Sequence, residues 1–257
     1  MIKAVFLDVD GTLISHTQKA VPESTKIALD ALSKKGIQRI IATGRHMLEL
    51  QMLPVGSIPF DGYITLNGQL CLDAEGEILS GTPIVGEDRD TILRVFREKS
   101  IPLVLVEKNR LYINFINEYV VSAQEAISTP LPTVGEYTGN EIYLAVAYLE
   151  KEREKELPML LKNCKATRWN DYGMDIFCAS GGKTAGIREY LEANHILLEE
   201  TMAFGDGEND MDMLKFVHIG VAMGNSEDAV KDCADYVTAS VDDDGIFKAL
   251  KELNIID

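Results

Sequence analysis

Two aspartates stand two residues apart, Asp8 and Asp10, where the apolar run Ala4–Leu7 gives way to Gly11 and Thr12. Alternate side chains of an extended chain point the same way, so Asp8 and Asp10 can converge while Val9 turns aside. Gly11 lets the backbone turn sharply behind them. Taken alone this is a strand and an Asp-Gly turn, which is all that most such dipeptides mark. Three further polar clusters argue for chemistry: Thr43-Gly44-Arg45, Lys183, and the run Gly205-Asp206-Gly207-Glu208-Asn209-Asp210. Thr43 offers a hydroxyl and a backbone N–H to a phosphate oxygen at a strand-to-helix junction. An isolated Thr-Gly turn would be structural in about nine cases of ten, but its place one strand-helix-strand unit after the acids changes those odds. Lys183 would supply positive charge; its plainer role is a surface lysine at a helix start. The Asn209 amide suits orienting a phosphate or Lys183.

Phosphoryl transfer, which the family resemblance of these motifs implies, asks a protein mainly to position groups and stabilise charge. A carboxylate nucleophile splits hydrolysis into two easier steps through an aspartyl-phosphate. Carboxylate and phosphate repel each other unless a cation lies between them. Mg²⁺ suits that place because it takes hard oxygen ligands.

These residues need strands that end along one edge. Ala4–Leu7 has no polar interruption and is expected to be a strand buried on both faces of a parallel sheet. Pro22 to Lys35 carries Ile27, Ala28, Ala31 and Leu32 on one face, opens with Pro and stops at Gly36, which predicts a helix. Residues 37–42 are the next strand, so strand, helix and strand form a right-handed unit whose two strand exits share one edge. A helix is expected from His46 to before Pro54, a third strand over 63–66 leading to Asn67-Gly68, and a short hairpin-like excursion over 69–80. From about Thr82 the rhythm changes to helices with consecutive hairpins, an α+β pattern with an antiparallel sheet. Within it a helix is expected over 150–161, against whose full length Pro158 argues. The core rhythm resumes with a helix over 183–194, a strand at 202–204, and alternating short elements to the end. The acids Asp242, Asp243 and Asp244 are expected to cap the last helix and to form solvated surface.

The sequence has 257 residues, enough for one large or two modest domains. Its 41 acids against 25 bases give a formal net charge of −16, which disfavours nucleic acid and anionic membranes as partners. An anionic substrate would be repelled at long range, so phosphate binding calls for a metal and locally placed cations. No apolar run reaches the ~20 residues of a membrane span, and no secretory signal is visible. Cys71, Cys164, Cys178 and Cys233 are widely separated in sequence and fit reduced structural thiols in a cytoplasmic protein. His16, His46, His195 and His218 form no sequence cluster, which disfavours a zinc centre.

Asp8-Val9-Asp10-Gly11-Thr12 resembles the DxDGT nucleophile motif of the haloacid dehalogenase (HAD) superfamily. Ala42-Thr43-Gly44-Arg45, Lys183 and the 205–210 run are similar to its other three motifs, in the same order. The whole chain resembles the Cof-like branch of HAD phosphatases. The resemblance implies a doubly wound, Rossmann-like α/β core, residues 1–81 and 181–257, with an inserted α+β cap domain over 82–180. It implies Asp8 as nucleophile and metal ligand, and the Asp10 backbone carbonyl as a second ligand. Asp206 would be the third, with Asp210 supporting the metal shell. The Asp10 side chain would protonate the leaving oxygen and then activate water. Phosphate would meet Asp8, Thr43, Gly44, Lys183 and Asn209, and substrate would meet Arg45, Asn67 and Gly68. The cofactor implied is Mg²⁺, and the expected partner is a small phosphorylated metabolite, a sugar phosphate first. The protein would be a monomer or small homo-oligomer. The family commonly has Gly directly after the lysine, whereas Thr184 follows Lys183; Lys162 and Lys165 are alternatives that fit the spacing worse.

In the turn Trp169-Asn170-Asp171-Tyr172-Gly173, an aromatic ring could lie along a sugar's apolar face while Asn170 and Asp171 reach hydroxyls. Trp169, Asn170 and Tyr172 are therefore candidate substrate contacts, with a core Trp and a solvated turn at about even odds. The same residues also suggest other functions. Gly182-Lys183-Thr184 ends like a nucleotide-binding phosphate loop, but Phe177 stands where that loop needs glycine. A phosphomutase would use the same aspartyl-phosphate. A non-enzymatic signalling receiver also combines paired acids, Thr and Lys, but has no use for a hundred-residue insertion.

Overall fold

The computed structural model describes residues 1–127 and 129–257. In chain order the elements are β1 (Ala4–Leu7), α1 (Glu23–Lys34), β2 (Gln38–Ala42), α2 (Met47–Leu50), β3 (Gly62–Thr65), β4 (Leu70–Asp73) and β5 (Ile78–Gly81). There follow α3 (Gly86–Glu98), β6 (Leu103–Val106), β7 (Leu111–Ile113), α4 (Glu118–Ala126), β8 (Leu144–Tyr148), β9 (Cys164–Arg168) and β10 (Gly173–Cys178). The chain closes with α5 (Lys183–Asn194), β11 (Thr201–Gly205), α6 (Met211–Phe216), β12 (Ile219–Ala222), α7 (Asp228–Lys231), β13 (Tyr236–Val237) and α8 (Gly245–Glu252). Two compact units result: Met1–Ser80 with Gly182–Asp257, and Gly81–Gly181.

The first unit is a doubly wound α/β core with strand order β13-β12-β11-β1-β2-β3-β4-β5. β1 is its axis, parallel to both neighbours, with Leu7 opposite Phe204 on one side and Ile41 on the other. Its four residues are fully buried because both faces are covered. Val5 and Leu7 pack with Leu29 and Leu32 of α1 and with Ile246 and Leu250 of α8. Ala4 and Phe6 pack on the other face with Ile187 and Tyr190 of α5 and Leu214 of α6. Burying a side chain of this size stabilises a fold by roughly 1.5–3 kcal/mol, so the axis is held firmly from both sides. The alternation then sets the site: Asp8 continues the Ala4/Phe6 side, the face on which α5 lies.

The second unit is an antiparallel five-stranded sheet, order β7-β6-β8-β10-β9, with α3 supplying Ile92, Leu93 and Phe96 to its core. Cys164 and Cys178, distant in sequence, are directly paired across β9 and β10 as free thiols.

The hairpin-like excursion expected over 69–80 is present: β4 pairs antiparallel with β3, and β5 extends the same sheet at its edge. Two expectations are corrected. The helix expected over 150–161 is replaced by two short 3₁₀ turns, Lys151–Arg153 and Pro158–Leu160. Pro158 removes a helical donor, and the apolar residues bunch at the end of the segment instead of forming a face. The acids before α8 make no side-chain cap, because Asp244 takes a left-handed conformation (φ 63°). Asp242 instead accepts from Ser15 (2.5 Å) and Gln18 (3.2 Å). Among the described residues no helix is long and apolar enough to cross a membrane.

Candidate active site

The strand exits of β1, β2, β3, β11 and β12 lie along one edge of the first unit's sheet, where open α/β folds bind ligands. After β1 the chain turns through Gly11 (φ 80°), whose N–H donates to Ile14 O at 3.0 Å. A side chain at Gly11 is excluded, since its Cβ would lie 2.1 Å from Asp206 Oδ2. The two acidic loops therefore touch backbone to side chain.

Lys183, first residue of α5, is 4% exposed, and its Nζ donates to Asp8 Oδ1 and to Asp210 Oδ1, each at 2.6 Å. The start of α5 is seated by Gly68 (φ 82°), whose missing side chain leaves room for the Gly182 carbonyl, 1.9 Å from where a Cβ would be. The other oxygen of Asp210 accepts the N–H groups of Asp206 (3.0 Å) and Gly207 (2.9 Å). Asp210 thus folds its own loop and anchors the lysine. Asp206 lies half-buried, with Oδ1 accepting from the Thr12 hydroxyl at 3.0 Å.

Three carboxylates here face one ammonium, and the proton affinities follow. Burial, and then the charge of Asp210, hold Asp8 well above the usual carboxylate range in spite of Lys183. Burial alone would lower Lys183, but the charges of Asp210 and Asp8 push it up. Burial lifts Asp206 to about 6, against the Thr12 hydrogen bond. All three groups sit in a buried cluster where carboxylates outnumber the ammonium. Carboxylate oxygens of Asp8, Asp206 and Asp210 lie within 4.8 Å of one another. A compact set of hard oxygens short of positive charge fits a divalent cation of the Mg²⁺ type.

Thr43 corrects one expectation. Its N–H is not available to phosphate, because it donates to Ile64 O at 2.8 Å and so prolongs the β2–β3 pairing. Its hydroxyl oxygen accepts from Arg45 N at 3.2 Å, which leaves the hydroxyl proton to donate. Asn67 is left-handed (φ 53°) and lies against Gly44, where a Cβ would approach its Oδ1 to 3.1 Å. Asn209 Nδ2 donates to that oxygen at 3.4 Å, so Gly44, Asn67 and Asn209 meet. Arg45, expected on substrate, grips Asp10 with two bonds, Nε to Oδ2 at 2.6 Å and Nη2 to Oδ1 at 2.8 Å. Burial opposes that guanidinium's charge, but the bond to Asp10 raises its proton affinity above the ordinary arginine value.

The candidates of the second unit have partners within it. Trp169 donates its indole N–H to Asp175 (2.9 Å) and lies edge-on to Tyr148. Asn170 Oδ1 accepts the N–H groups of Tyr172 (2.8 Å) and Gly173, a side-chain-closed turn. The Tyr172 ring stacks on Tyr119 at 4.9 Å.

Two residues of the site have no role assigned from sequence. Thr12 holds Asp206. Asn225, after β12, donates to Gly11 O (2.9 Å) and Asp206 Oδ2 (3.2 Å). The signal for Asn225 was available: it is a polar residue at another strand exit on the same edge.

Comparison with known proteins adds to this geometry. A model of haloacid dehalogenase-like hydrolases matches residues 5–250. YkrA of Bacillus subtilis (strain 168), provisionally named a phosphatase, is 30% identical over 257 residues, 99% of this chain and 98% of its own. The structure of BT1666 from Bacteroides thetaiotaomicron, described among phosphatases of the HAD superfamily, aligns with a TM-score of 0.89 and 33% identity. That alignment covers all of this chain and 96% of BT1666. BT4131, described as a HAD subclass IIB sugar phosphatase, aligns with a TM-score of 0.84 and 36% identity, covering 99% of this chain and all of its own.

Proposed function

We propose that this chain, which belongs to the haloacid dehalogenase-like hydrolases, is a Mg²⁺-dependent phosphatase of sugar phosphates that carries the phosphoryl group transiently on Asp8. That it is a phosphoric monoester hydrolase of the HAD type follows from the family and its relatives. The metal, the intermediate and the sugar are our reading. The observation that carries it is the shared ammonium: Asp8 stands at the end of β1 with a buried lysine on one oxygen and an excess of carboxylate around it. The likeness to BT4131 supports the sugar.

Asp8 and Asp206, with the Asp10 carbonyl, would hold the metal, and Asp210 stands behind them on Lys183. Bound there, Mg²⁺ would supply the positive charge that lets phosphate approach a carboxylate. Lys183 stabilises charge on the transferring group and orients Asp8 through the bond to its Oδ1. The Thr43 hydroxyl, the Gly44 loop and the Asn209 amide would meet the phosphate oxygens. In the first step an Asp8 oxygen forms a bond to phosphorus as the bond to the sugar oxygen breaks, and Asp10 gives its proton to that oxygen. In the second, Asp10 takes a proton from water as the water oxygen bonds phosphorus and releases Asp8 and inorganic phosphate. Arg45 bonds both oxygens of Asp10 and so orients the acid/base group. For the sugar half of the substrate, Trp169, Asn170 and Tyr172 stay proposed contacts.

Hydrolysis of a panel of sugar phosphates, nucleotides and pyridoxal phosphate, with Mg²⁺ and with chelator, tests the reading. Sugar phosphates should lead, and chelator should abolish turnover. Full activity in chelator, or nucleotides leading the panel, would contradict it. A second expectation isolates Asp10. Asp10→Asn keeps the backbone carbonyl, so Mg²⁺ binding should be nearly normal while turnover of sugar phosphates falls roughly 10²–10⁴-fold. The loss should shrink for aryl phosphates, whose leaving oxygen needs less protonation. An equal loss on both kinds of substrate would remove Asp10 from the acid role.

A further inference from the structure

Asn225 follows β12, one strand beyond β11, and its side chain is exposed. Its amide nevertheless makes three bonds to three different loops. Nδ2 donates to the Gly11 carbonyl at 2.9 Å and to Asp206 Oδ2 at 3.2 Å, and Oδ1 accepts the Val241 N–H at 2.9 Å. Both N–H groups of the amide are thereby used, one on each acidic loop.

We infer that Asn225 is a positioning residue for the metal-facing side of the site, fixing the Asp206 carboxylate and the turn behind Asp10 with one amide. The inference rests on the metal reading given above. Asp206 is held at both oxygens by neutral donors from two different loops, Thr12 on Oδ1 and Asn225 on Oδ2. Each donor uses one lone pair and leaves another, so the carboxylate is oriented without being consumed. The peptide that carries the Asp10 carbonyl is fixed on one side by Gly11 N–H donating to Ile14 O. Asn225 fixes the next peptide, at the Gly11 carbonyl. Two of the three proposed ligands are thus set by bonds to loops 194 or more residues away in sequence, Thr12 to Asp206 and Asn225 to Gly11. Partners that orient a metal's ligands commonly govern affinity as strongly as some ligands do.

The plainer role is an anchor for the loop at Val241. Asp242 ties that same loop to Ser15 and Gln18 without touching Asp206 or Gly11, and so serves as the control. Because Asn225 is exposed, shortening it opens no cavity, and Asn225→Ala should fold.

Mg²⁺ binding is measured without substrate, by calorimetric titration and by the rise in Tm with Mg²⁺, on the wild type, Asn225→Ala and Asp242→Ala. Asn225→Ala should weaken Mg²⁺ about 10–100-fold, with kcat largely restored at saturating Mg²⁺. Asp242→Ala should bind Mg²⁺ within about twofold of the wild type while losing some thermal stability. Wild-type binding with an unchanged Asn225→Ala affinity would overturn this inference alone, as would an equal loss in Asp242→Ala. No Mg²⁺ binding by the wild type would overturn both this inference and the metal reading beneath it. Should Asn225→Ala fail to fold, Asn225→Ser, which also cannot span both loops, takes its place with the same expected loss.

Discussion

Asp8→Asn is expected to fold, to melt no lower than the wild type in metal-free buffer, and to lose roughly 10⁴–10⁶ in turnover, the scale seen when a covalent nucleophile is removed. The activity loss follows from chemistry: an amide oxygen neither attacks phosphorus nor binds Mg²⁺ well. The stability half follows from charge. Asp8 is buried beside Asp210, and the fold raises its carboxyl well above the ordinary range. A carboxyl whose folded value is raised is favoured in its neutral form, so the ionised form at neutral pH works against the fold. Replacing it with a neutral group of the same shape removes that penalty, and Lys183 keeps Asp210 as partner. A folded variant with substantial activity would remove Asp8 as nucleophile. A large drop in Tm would mean that the Lys183–Asp8 bond outweighs the repulsion.

Lys183→Met should be the more damaging change, because it fails in both activity and stability. The methionine fits the volume but leaves Asp8 and Asp210 buried with no cation between them. Breaking a buried pair in this way typically costs about 3–5 kcal/mol. The cost should depend on pH with a definite sign. Without the ammonium, Asp8 is raised further, so the folded variant binds a proton that the unfolded chain has already released. Its deficit against the wild type should therefore shrink as pH falls from 8 towards 5, and Mg²⁺ should recover part of it at pH 8. Turnover should be lost throughout. Thermal melts at both pH values, with and without Mg²⁺, check this. A variant that melts with the wild type at pH 8 would show that Lys183 is not the charge on which the site rests.

The core and most of its site could be read from the chain because strand alternation and strand direction fix where side chains go. Ala4–Leu7 is apolar without interruption, so a strand with two covered faces and acids at its exit follows. The 183–194 helix opens at Lys183 as expected, and the face it covers is the one Asp8 shares. Arg45 on Asp10 was not legible, since an arginine's reach depends on which loop lies opposite. The Thr43 N–H was misassigned because the parallel pairing runs one residue past Ala42. Asn225 shows a different failure. The rule that polar residues at parallel strand exits share one edge was applied after β1, β2, β3 and β11, and not after β12. The missing 150–161 helix is a third kind, where abundant helix formers concealed the lack of an apolar face and Pro158 was under-weighted.

The proposed mechanism turns on a phosphoryl group carried by Asp8, and trapping that group shows whether it forms. Wild-type protein turning over a sugar phosphate with Mg²⁺ is quenched in acid within one turnover, then treated with borohydride, which reduces an acyl phosphate to an alcohol. Peptide mass spectrometry should find the carboxyl of Asp8 converted to the alcohol only when substrate and Mg²⁺ were both present, and no such conversion at Asp10, Asp206 or Asp210. An unmodified Asp8 in samples that have released phosphate, or the alcohol at another carboxyl, would rule out Asp8 as the carrier.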